Sequence, residues 1–569
     1  MKNEEVVALL YTIADILEIR GDDDLFKILA YRRAARSVED LAEDIGDLHR
    51  QGRLASIPGF GAAITEKVRE FLDTGRTEYL EKIAEGFPPG LLEMVRIPGL
   101  GPKKAQALWR ELAITTVDAL REACEKHRVQ RLKGFGEKTE EKILAGIRLL
   151  GEARGRSLIS EAWGIAETVL AHLRADRAIE KAEAAGSLRR RKETVGDLDF
   201  LVLSKDPAAA SKAFTVMPLV TQVVLSGDTK STVLLRGGLQ ADLRVLDAKS
   251  WGGGLQYFTG SKDHNVRLRG LAQSKGLKLN EYGLFRGEEF VAGETEEGIY
   301  EALGMPYIEP EMREDGGEIT AATAGALPTL VRLEDVRGDF HAHTRLTDGV
   351  NTLEEMAAEA QRLGYAFLGL SEHSQSLVIA RGIDPDTVRL RKKEIEGFNR
   401  RSTGITLLFG TECDILKDGS MDYPDEVLKD FDYVVASVHS LMKLPRDEQT
   451  QRVLTAIANP YVNILAHPTT RKIGQRDPLD IDLEKVFDAA AQSGTAVEIN
   501  SGGNRMDLNG AQAKLAKEMG CVLTTDTDAH STAELHTMRF AVGLARRGWL
   551  EAKDVVNTWD LDRARTFFR

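Results

Sequence analysis

The chain has 569 residues, which predicts about three to five domains, and its 42% hydrophobic content is sufficient for packed cores. A net charge of −13 argues against DNA binding through a uniformly basic surface, but it allows binding through local basic patches and backbone amides. The three cysteines have no paired spacing, which fits a reducing cytoplasm and excludes a thiolate zinc finger. No segment approaches the ~18 uninterrupted apolar residues of a membrane helix, and the acidic N-terminus is too polar for a signal peptide. A cytoplasmic protein without a membrane partner is therefore expected.

The first 150 residues predict helices joined by short glycine turns, with a small motif repeated three times. The copies are Ile57-Pro58-Gly59-Phe60-Gly61, Ile97-Pro98-Gly99-Leu100-Gly101 and Leu132-Lys133-Gly134-Phe135-Gly136. This is the helix-hairpin-helix signature, in which turn amides and a following helix N-terminus face a DNA phosphate. One copy would favour an ordinary turn between packed helices, whereas three favour non-specific, salt-sensitive DNA binding. The candidate DNA contacts are Gly59, Gly61, Gly99, Gly101, Gly134 and Gly136.

A second pattern combines a Gly186-Ser187 turn with three aspartates. Asp197 and Asp199 are two residues apart in a β-rich run, so a strand would point both to one face. Asp242 lies in a second strand-like run, residues 239–246. If the two strands are neighbours, the carboxylates converge and can bind two hard divalent cations, Mg²⁺ or Mn²⁺, for phosphoryl transfer. The alternative is that these acidic groups are solvated or cap a turn.

Together with the run Tyr257-Phe258-Thr259-Gly260-Ser261, these features make residues 1–315 resemble the family X DNA polymerases, which include DNA polymerase beta. The resemblance implies that Asp197 and Asp199 bind both ions, and that Asp242 helps to activate the primer 3′ hydroxyl. It places Arg244 beside these carboxylates. It also implies nucleotide contacts from Gly186, Ser187, Arg190, Tyr257, Phe258, Gly260, Asn265 and Arg269.

The N-terminal part resembles the lyase domain of the same family. Lys67 falls where the family has its Schiff-base lysine, and Lys27 and Tyr31 match positions near its 5′-phosphate pocket. Because an amine nucleophile needs a lowered pKa, the sequence leaves three possibilities open. The domain has lyase activity, or it only grips a downstream 5′ phosphate, or Lys67 lies on a solvated helix face.

After a small-residue stretch predicted to be an interdomain linker, apolar β runs alternate with helices from about residue 336. Histidines and carboxylates follow most of these runs, so ligands at successive strand ends would converge on one barrel mouth. Imidazole mixed with carboxylate suits Mn²⁺, Zn²⁺ or iron more than Mg²⁺. The series resembles the PHP (polymerase and histidinol phosphatase) domain. The resemblance implies a trinuclear site with Glu412 bridging two metals, held by His341, His343, Asp348, His373, Glu412, His439, His467, Asp528 and His530.

Four further residues near this series have less defined roles. Glu372 precedes His373, at a position where the PHP family usually has an aspartate. The position is expected to support a ligand, so the difference affects the tuning of the metal site more than metal binding itself. Asn500, Arg505 and Asp526 are candidates for contacting phosphate or supporting the ligands. The family chemistry is metal-assisted attack on a phosphoester.

The predicted fold is multidomain α/β with an all-helical helix-hairpin-helix region, a nucleotidyltransferase palm with a mixed sheet, a small thumb and a distorted (β/α)7 PHP barrel. The predicted divisions are a lyase-like domain (1–80), fingers (81–155), palm (156–247), thumb (248–313), linker (314–335) and PHP domain (336–569). The expected function is gap-filling DNA synthesis in repair by a monomer. The PHP domain would add 3′–5′ exonuclease activity, with 3′-phosphatase or abasic-site cleavage as further options. Two alternatives are a small-molecule PHP phosphatase with a vestigial nucleotidyltransferase and a non-catalytic DNA-end scaffold.

Overall fold

The computed structural model describes residues 2–21, 24–39, 45–97, 100–153, 156–402 and 404–568. Gly99 of the second predicted hairpin lies outside this part of the chain. The chain divides into two compact units, one of Met1–Arg154 with Gly474–Asp477 and one of Gly155–Ile473 with Pro478–Arg569. Among the described helices, none combines the length and the apolar character that a bilayer crossing would need.

The first unit is helical, and its core follows from apolar residues at helical spacing. Val6, Leu10, Ile13 and Leu17 lie on one face of the first helix and are all buried. A second cluster around Leu91, Leu108 and Leu120 forms the core of the later helices. The α-helices are Lys2–Arg20, Leu25–Glu39, Ile45–Arg50, Ala62–Thr74, Glu78–Ala84, Gly90–Met94, Pro102–Leu112, Val117–Glu125 and Glu137–Ala153.

Each predicted hairpin leads directly into a helix. Gly59 and Gly134 have φ values of +84° and +87°, a backbone conformation that glycine adopts without steric cost. Gly61 and Gly101 are the N-cap residues of Ala62–Thr74 and Pro102–Leu112, while Gly136 directly precedes Glu137–Ala153. The first-turn amides of these helices therefore follow the hairpin glycines.

The second unit begins with a five-stranded sheet. Asp197–Leu203 and Gln240–Leu246 pair in parallel at its centre, and the other pairs are antiparallel. One sheet face is packed by the helices Ile159–Ala175 and Pro207–Thr215 through a large apolar core. The strand order is Lys181–Ala184, Asp197–Leu203, Gln240–Leu246, Lys230–Leu235 and Val220–Ser226. A two-stranded ribbon of Ser157–Leu158 and Thr194–Val195 and the short helix Gly186–Arg189 lie beside this sheet.

Next along the chain, helices surround a small antiparallel sheet. The strands are Lys278–Asn280, Gly283–Arg286 and Glu289–Ala292, and the helices are Trp251–Thr259, Lys262–Ser274 and Glu296–Ala302. The small-residue segment after them, predicted to be a linker, has regular structure. It contains the helix Glu318–Thr323, and the buried Glu318 carboxylate bonds to His264 Nδ1 at 2.6 Å. Its composition gave little pattern because its buried apolar residues Ile319, Ala322, Leu330 and Val331 are few and irregularly spaced.

The C-terminal part is a nearly closed barrel of seven parallel strands, so the predicted fold class is confirmed. The strands, in both chain and sheet order, are Gly338–Asp339, Phe367–His373, Thr406–Asp414, Tyr433–Ser437, Ile464–Leu465, Ala496–Asn500 and Leu523–Asp526. An isolated parallel bridge joins Ala342 to Ala529, beyond the first and last strands. The helices are Leu353–Arg362, Pro385–Arg401, Asp425–Leu428, Arg446–Ile457, Leu483–Ser493, Gly510–Glu518, Met538–Arg547 and Leu561–Phe567.

Candidate active sites

The three predicted palm carboxylates meet on one face of the mixed sheet. Asp199 and Asp242 are register partners on the central parallel strands, and Asp197 lies two residues earlier on the same face. Each offers a carboxylate oxygen within 4.8 Å of the others. The Thr232 hydroxyl and the Gln240 Nε2 both donate to Asp242, the latter at 3.0 Å. These contacts fix the orientation of Asp242 toward its two partners.

The fold concentrates negative charge at this position. Burial, followed by the charges of Asp197 and Asp242, raises the pKa of Asp199 to about 7, whereas Arg190 and Arg244 oppose the shift. Converging carboxylates are the donor set that hard divalent cations stabilise. The three residues therefore fit a cation site.

Residue 186 must be glycine because the Asp199 carboxylate lies directly beside it. Its φ is +59°, and a Cβ atom there would lie 2.2 Å from Asp199 Oδ2. A larger residue would be strained in its backbone and would collide with the carboxylate. The glycine thus lets the Gly186-Ser187 turn approach the acidic face closely.

A cavity of about 470 Å³ opens beside the carboxylates, and basic groups line it. All predicted nucleotide contacts lie in its wall: Gly186, Ser187, Arg190, Tyr257, Phe258, Gly260, Asn265 and Arg269. Arg156, Lys192 and Lys262 add positive charge. Sequence reasoning missed Arg156, which shows no pattern, although its guanidinium anchors to Thr194 Oγ1 at 2.9 Å. A pocket lined by both carboxylates and cationic side chains suits a metal-bound triphosphate.

Packing among the lining residues orders this wall. Asn265 Nδ2 donates to the Tyr257 carbonyl at 2.7 Å, and Arg269 Nε donates to the Asn265 carbonyl at 3.2 Å. The Tyr257 and Phe258 rings meet edge to face at 5.1 Å, and the Arg244 guanidinium lies 4.8 Å from the Phe258 ring centroid. These contacts place the aromatic pair in the cavity wall that also contains Asp197 and Asp199.

A separate cavity of about 430 Å³ lies in the first unit, where the predicted lyase residues meet. Its lining includes Lys27, Tyr31, Gly59, Gly61 and Lys67. Lys67 Nζ donates to the Ala63 carbonyl at 3.0 Å and lies 4.6 Å from the Tyr79 ring centroid. Two lysines at the mouth of a hairpin glycine turn form a pocket that suits a phosphate group.

In the barrel, Glu412 is the centre of the histidine cluster. Its carboxylate lies 3.3 Å from His341 Nε2, 2.9 Å from His373 Nδ1, 3.2 Å from His439 Nε2 and 3.0 Å from His467 Nε2. Three overlapping groups could each hold an ion. The first consists of His343, Asp348, His373 and His530, and the second of His341, His343, Glu412 and Asp528. The third consists of His373, Glu412 and His439. All nine predicted ligands therefore meet at the carboxyl ends of the strands, His467 through its contact with Glu412.

Buried carboxylates behind the cluster hold the imidazoles in place, and the sequence interpretation missed two of them. Glu498 lies 2.6 Å from His341 Nδ1, and Asp414 lies 2.5 Å from His439 Nδ1. Both residues lie in mainly apolar strands. An acidic residue within an apolar run was the one feature of the sequence that could have identified them. Such contacts fix the tautomer and orientation of a ligating histidine.

The four further residues divide into two roles. Asn500 Nδ2 and Arg505 Nε each lie 3.3 Å from Asp528 Oδ2, so both support a predicted ligand. Asp526 accepts from the Phe340 amide at 2.9 Å and thus organises backbone. Glu372 accepts from the Thr347 hydroxyl at 2.6 Å and pairs with Arg391 at 2.7 Å. Glu372 therefore braces Thr347, the neighbour of the predicted ligand Asp348.

The donor set of this cluster fits transition metals. Among the described residues, buried atoms without a hydrogen-bond partner include His341 Nε2, both His343 ring nitrogens and Glu412 Oε2. Burial lowers the pKa of His343 to about 4 and that of His467 to about 3, which keeps both as neutral ligands. Burial opposes protonation of His373, but Glu412 and Asp348 raise its pKa to about 10. Mixed imidazole and carboxylate donors favour Mn²⁺, Zn²⁺ or iron.

Comparison with known proteins agrees with this arrangement. Family models described as helix-hairpin-helix domain, SAM-like helix-hairpin-helix tandem, DNA polymerase beta thumb and PHP domain match residues 1–77, 91–149, 254–314 and 339–502. The chain is 36% identical over 573 residues to the DNA polymerase/3′-5′ exonuclease PolX of Bacillus subtilis (strain 168), covering 100% of both chains. The chain belongs to the family X DNA polymerases that carry a PHP domain.

Two other relatives each match part of the chain. DNA polymerase lambda of Rattus norvegicus is 26% identical over 343 residues, covering 55% of this chain and 56% of that protein. A probable phosphatase of Thermoanaerobacter sp. (strain X514) is 30% identical over 234 residues, covering 39% of this chain and 89% of that protein. Family membership implies DNA and deoxynucleoside triphosphates as substrates, together with divalent metal use.

Proposed function

We propose that this chain fills short gaps during DNA repair as a DNA-directed DNA polymerase and trims 3′ ends with its PHP domain as a metal-dependent 3′–5′ exonuclease. The observation that carries the proposal is the pairing of Asp199 with Asp242 beside a cavity lined by cationic side chains. The name of the Bacillus subtilis relative combines the same two activities. Both would act on one DNA substrate.

In the proposed polymerase centre, Asp197, Asp199 and Asp242 would hold Mg²⁺ or Mn²⁺, which would stabilise the negative charge that develops on the oxygens during phosphoryl transfer. Ser187 and Arg190 hold the triphosphate in the cavity. The Tyr257-Phe258 pair lies beside the sugar and excludes a ribose 2′ hydroxyl by contact.

In the proposed exonuclease centre, the nine histidine and carboxylate residues would hold a trinuclear group of Mn²⁺, Zn²⁺ or iron, which would supply metal-assisted attack on the phosphoester. Glu412 lies at the centre of this set, and Glu498 and Asp414 orient His341 and His439. A 3′-phosphatase activity of this centre is a second candidate, favoured by the relatives named probable phosphatases. Cleavage at abasic sites would use the same phosphoester chemistry.

The hairpin glycines of the first unit are proposed to bind DNA phosphates without reading sequence. The pocket formed by Lys27, Tyr31 and Lys67 would hold the 5′ phosphate of the strand downstream of a gap. The contact of Lys67 Nζ with Ala63 favours phosphate gripping over Schiff-base chemistry as its resting role. Lyase activity at Lys67 stays a prediction. We propose that the enzyme acts as a monomer.

End-labelled gapped DNA with deoxynucleoside triphosphates, supplied with Mg²⁺ or Mn²⁺ in separate reactions, tests the proposal. Asp242→Ala should abolish extension and keep manganese-dependent 3′ degradation, and His341→Ala should do the reverse. Equal extension by wild type and Asp242→Ala would remove the polymerase assignment and favour a DNA-end scaffold. Degradation retained by His341→Ala would remove the exonuclease assignment. Failure of the wild type to bind the gapped duplex would favour a small-molecule phosphatase.

A further inference from the structure

The loop that carries Arg190 is braced by the PHP domain. Arg547, at the end of the helix Met538–Arg547, donates through Nη1 to the Arg190 carbonyl at 2.9 Å. Gly543 of the same helix packs on Arg191, since a Cβ atom there would lie 3.2 Å from Arg191 Cβ. Arg471 pairs with Glu193 at 3.3 Å. Three PHP residues thus contact the four-residue stretch that follows Arg189.

Arg547 and Arg190 also share one carboxylate. Glu314 Oε1 accepts from Arg190 Nε and from Arg547 Nη1, each at 3.0 Å. Both guanidinium groups are largely buried, with side-chain exposures of 12% for Arg190 and 11% for Arg547. Burial opposes ionisation of Glu314, but these two arginines hold its pKa below the ordinary value. The carboxylate therefore stays charged between them.

This arrangement sets how much positive charge Arg190 can offer to the cavity. With two arginines on one carboxylate, the cluster keeps a net positive charge, and Glu314 does not fully neutralise Arg190. Without Arg547, Glu314 would pair with Arg190 and with Lys192, whose Nζ lies 3.7 Å from Glu314 Oε2, and it would compete more strongly with an incoming triphosphate for the Arg190 guanidinium. The loop would also lose the hydrogen bond at the Arg190 carbonyl, which fixes its backbone.

We propose that Arg547, a residue of the PHP domain, is a positioning residue for the polymerase reaction that sets the affinity of Arg190 for the triphosphate. This inference rests on the proposed polymerase function. It makes the nucleotide affinity of one centre depend on a helix of the domain that houses the other. Arg547 itself does not line the cavity and need not touch the substrate.

Steady-state extension by the full-length protein tests the inference through the separation of KM from kcat. Arg547→Ala should raise the KM for the deoxynucleoside triphosphate about tenfold and change kcat by less than about twofold, because it removes binding made before the chemical step. Arg547→Lys should recover part of the affinity. The 3′ degradation rate of Arg547→Ala should equal that of the wild type.

Two further variants separate positioning from general packing. Arg539 lies on the same helix and pairs with Glu167 of the palm at 3.3 Å, outside the cavity, so Arg539→Ala should leave the KM unchanged. In the double variant Arg547→Ala with Glu314→Gln, the competing charge is gone and the KM should return to within about threefold of the wild type. Loss of packing alone would not be rescued by this second substitution.

Equilibrium binding of the triphosphate to the enzyme on a dideoxy-terminated primer gives a readout without catalysis. Its Kd should rise about tenfold in Arg547→Ala and follow the KM values. An unchanged Kd, an equal rise in Arg539→Ala, or the absence of rescue by Glu314→Gln would overturn the inference. A wild type that does not extend primers would instead refute the proposed function.

Discussion

Asp199 and Asp242 are register partners on adjacent parallel strands, so the sheet itself holds two carboxylates side by side. Asp197 adds a third within 4.8 Å. Like charges this close repel, and their approach is maintained by the strand pairing and by the hydrogen bonds from Thr232 and Gln240 to Asp242. The fold therefore carries an electrostatic cost at this face that bound cations would offset.

That cost should appear as a pH dependence of the metal-free protein. The pKa of Asp199 is raised to about 7 in the folded chain, so the folded state binds its proton more tightly than the unfolded state does. Stability is then lost as pH rises from about 4 to about 7, by up to about 1.4 kcal/mol per pH unit.

Asp199→Asn should melt at a higher temperature than the wild type at pH 8 with chelator and close to it at pH 4. The exposed Asp228→Asn is the control, and equal melting of Asp199→Asn and wild type at pH 8 would contradict the assignment.

Gly186→Ala should remove polymerase activity through Asp199. The added methyl would lie 2.2 Å from Asp199 Oδ2 at a φ of +59°, so either the carboxylate or the turn must move. We expect primer extension to fall by about 10²-fold or more, as for loss of a single group that stabilises the transition state. Gly164→Ala, in the helix Ile159–Ala175 where a Cβ meets no atom within 4 Å, should extend normally. Normal extension by Gly186→Ala would show that this turn tolerates displacement.

Glu498→Gln should weaken the PHP centre without removing a ligand. Glu498 bonds to His341 Nδ1 at 2.6 Å and accepts from the His467 amide at 2.5 Å, and a neutral amide would orient both histidines less firmly. Loss of such a supporting contact costs about 10- to 100-fold in metal affinity or activity. Metal content after dialysis and the rate of 3′ degradation measure the effect. Primer extension and the exposed Glu484→Gln variant serve as controls, and full metal content with full degradation would refute the role.

Gly134→Ala should weaken DNA binding by distorting a hairpin. The site is open, so the substitution adds no collision, but its φ of +87° costs a side-chain-bearing residue about 1 kcal/mol. We expect lower affinity for gapped duplex and a shallower dependence of log Kd on log salt concentration, because fewer phosphate contacts form. Gly75→Ala has a matching φ of +78° and equally open space but lies at a helix C-terminus. If both variants bind DNA equally, the hairpin at Gly134 makes no phosphate contact.

Functional residues that follow a short-range spacing pattern could be predicted from the sequence. Two-residue spacing put Asp197 and Asp199 on one strand face, and a β-rich run around Asp242 indicated the neighbouring strand. Successive strand ends likewise predicted that His341 and the other ligands would converge. These patterns repeat along the chain, so they can be found without knowing which residues are neighbours in space.

Residues whose role depends on a distant partner could not be found in this way. Glu498 gains its role from His341, 157 residues away, and Arg547 gains its role from the Arg190 carbonyl, 357 residues away. The burial of Glu318, within the segment predicted to be a linker, has the same origin, because its carboxylate pairs with His264, 54 residues away. Each of these depends on tertiary contacts that no local spacing encodes.

The histidine cluster draws its ligands from strand ends distributed between His341 and His530, almost the whole length of the barrel. During synthesis, the first of them leave the ribosome long before the last. The group of His373, Glu412 and His439 can form once the fourth strand has emerged, whereas the two groups that include Asp528 or His530 need the end of the last strand. Occupancy of those two groups is therefore a late event that reports completion of the barrel. A chain interrupted before its final strand would carry every earlier ligand and still lack two of the three groups.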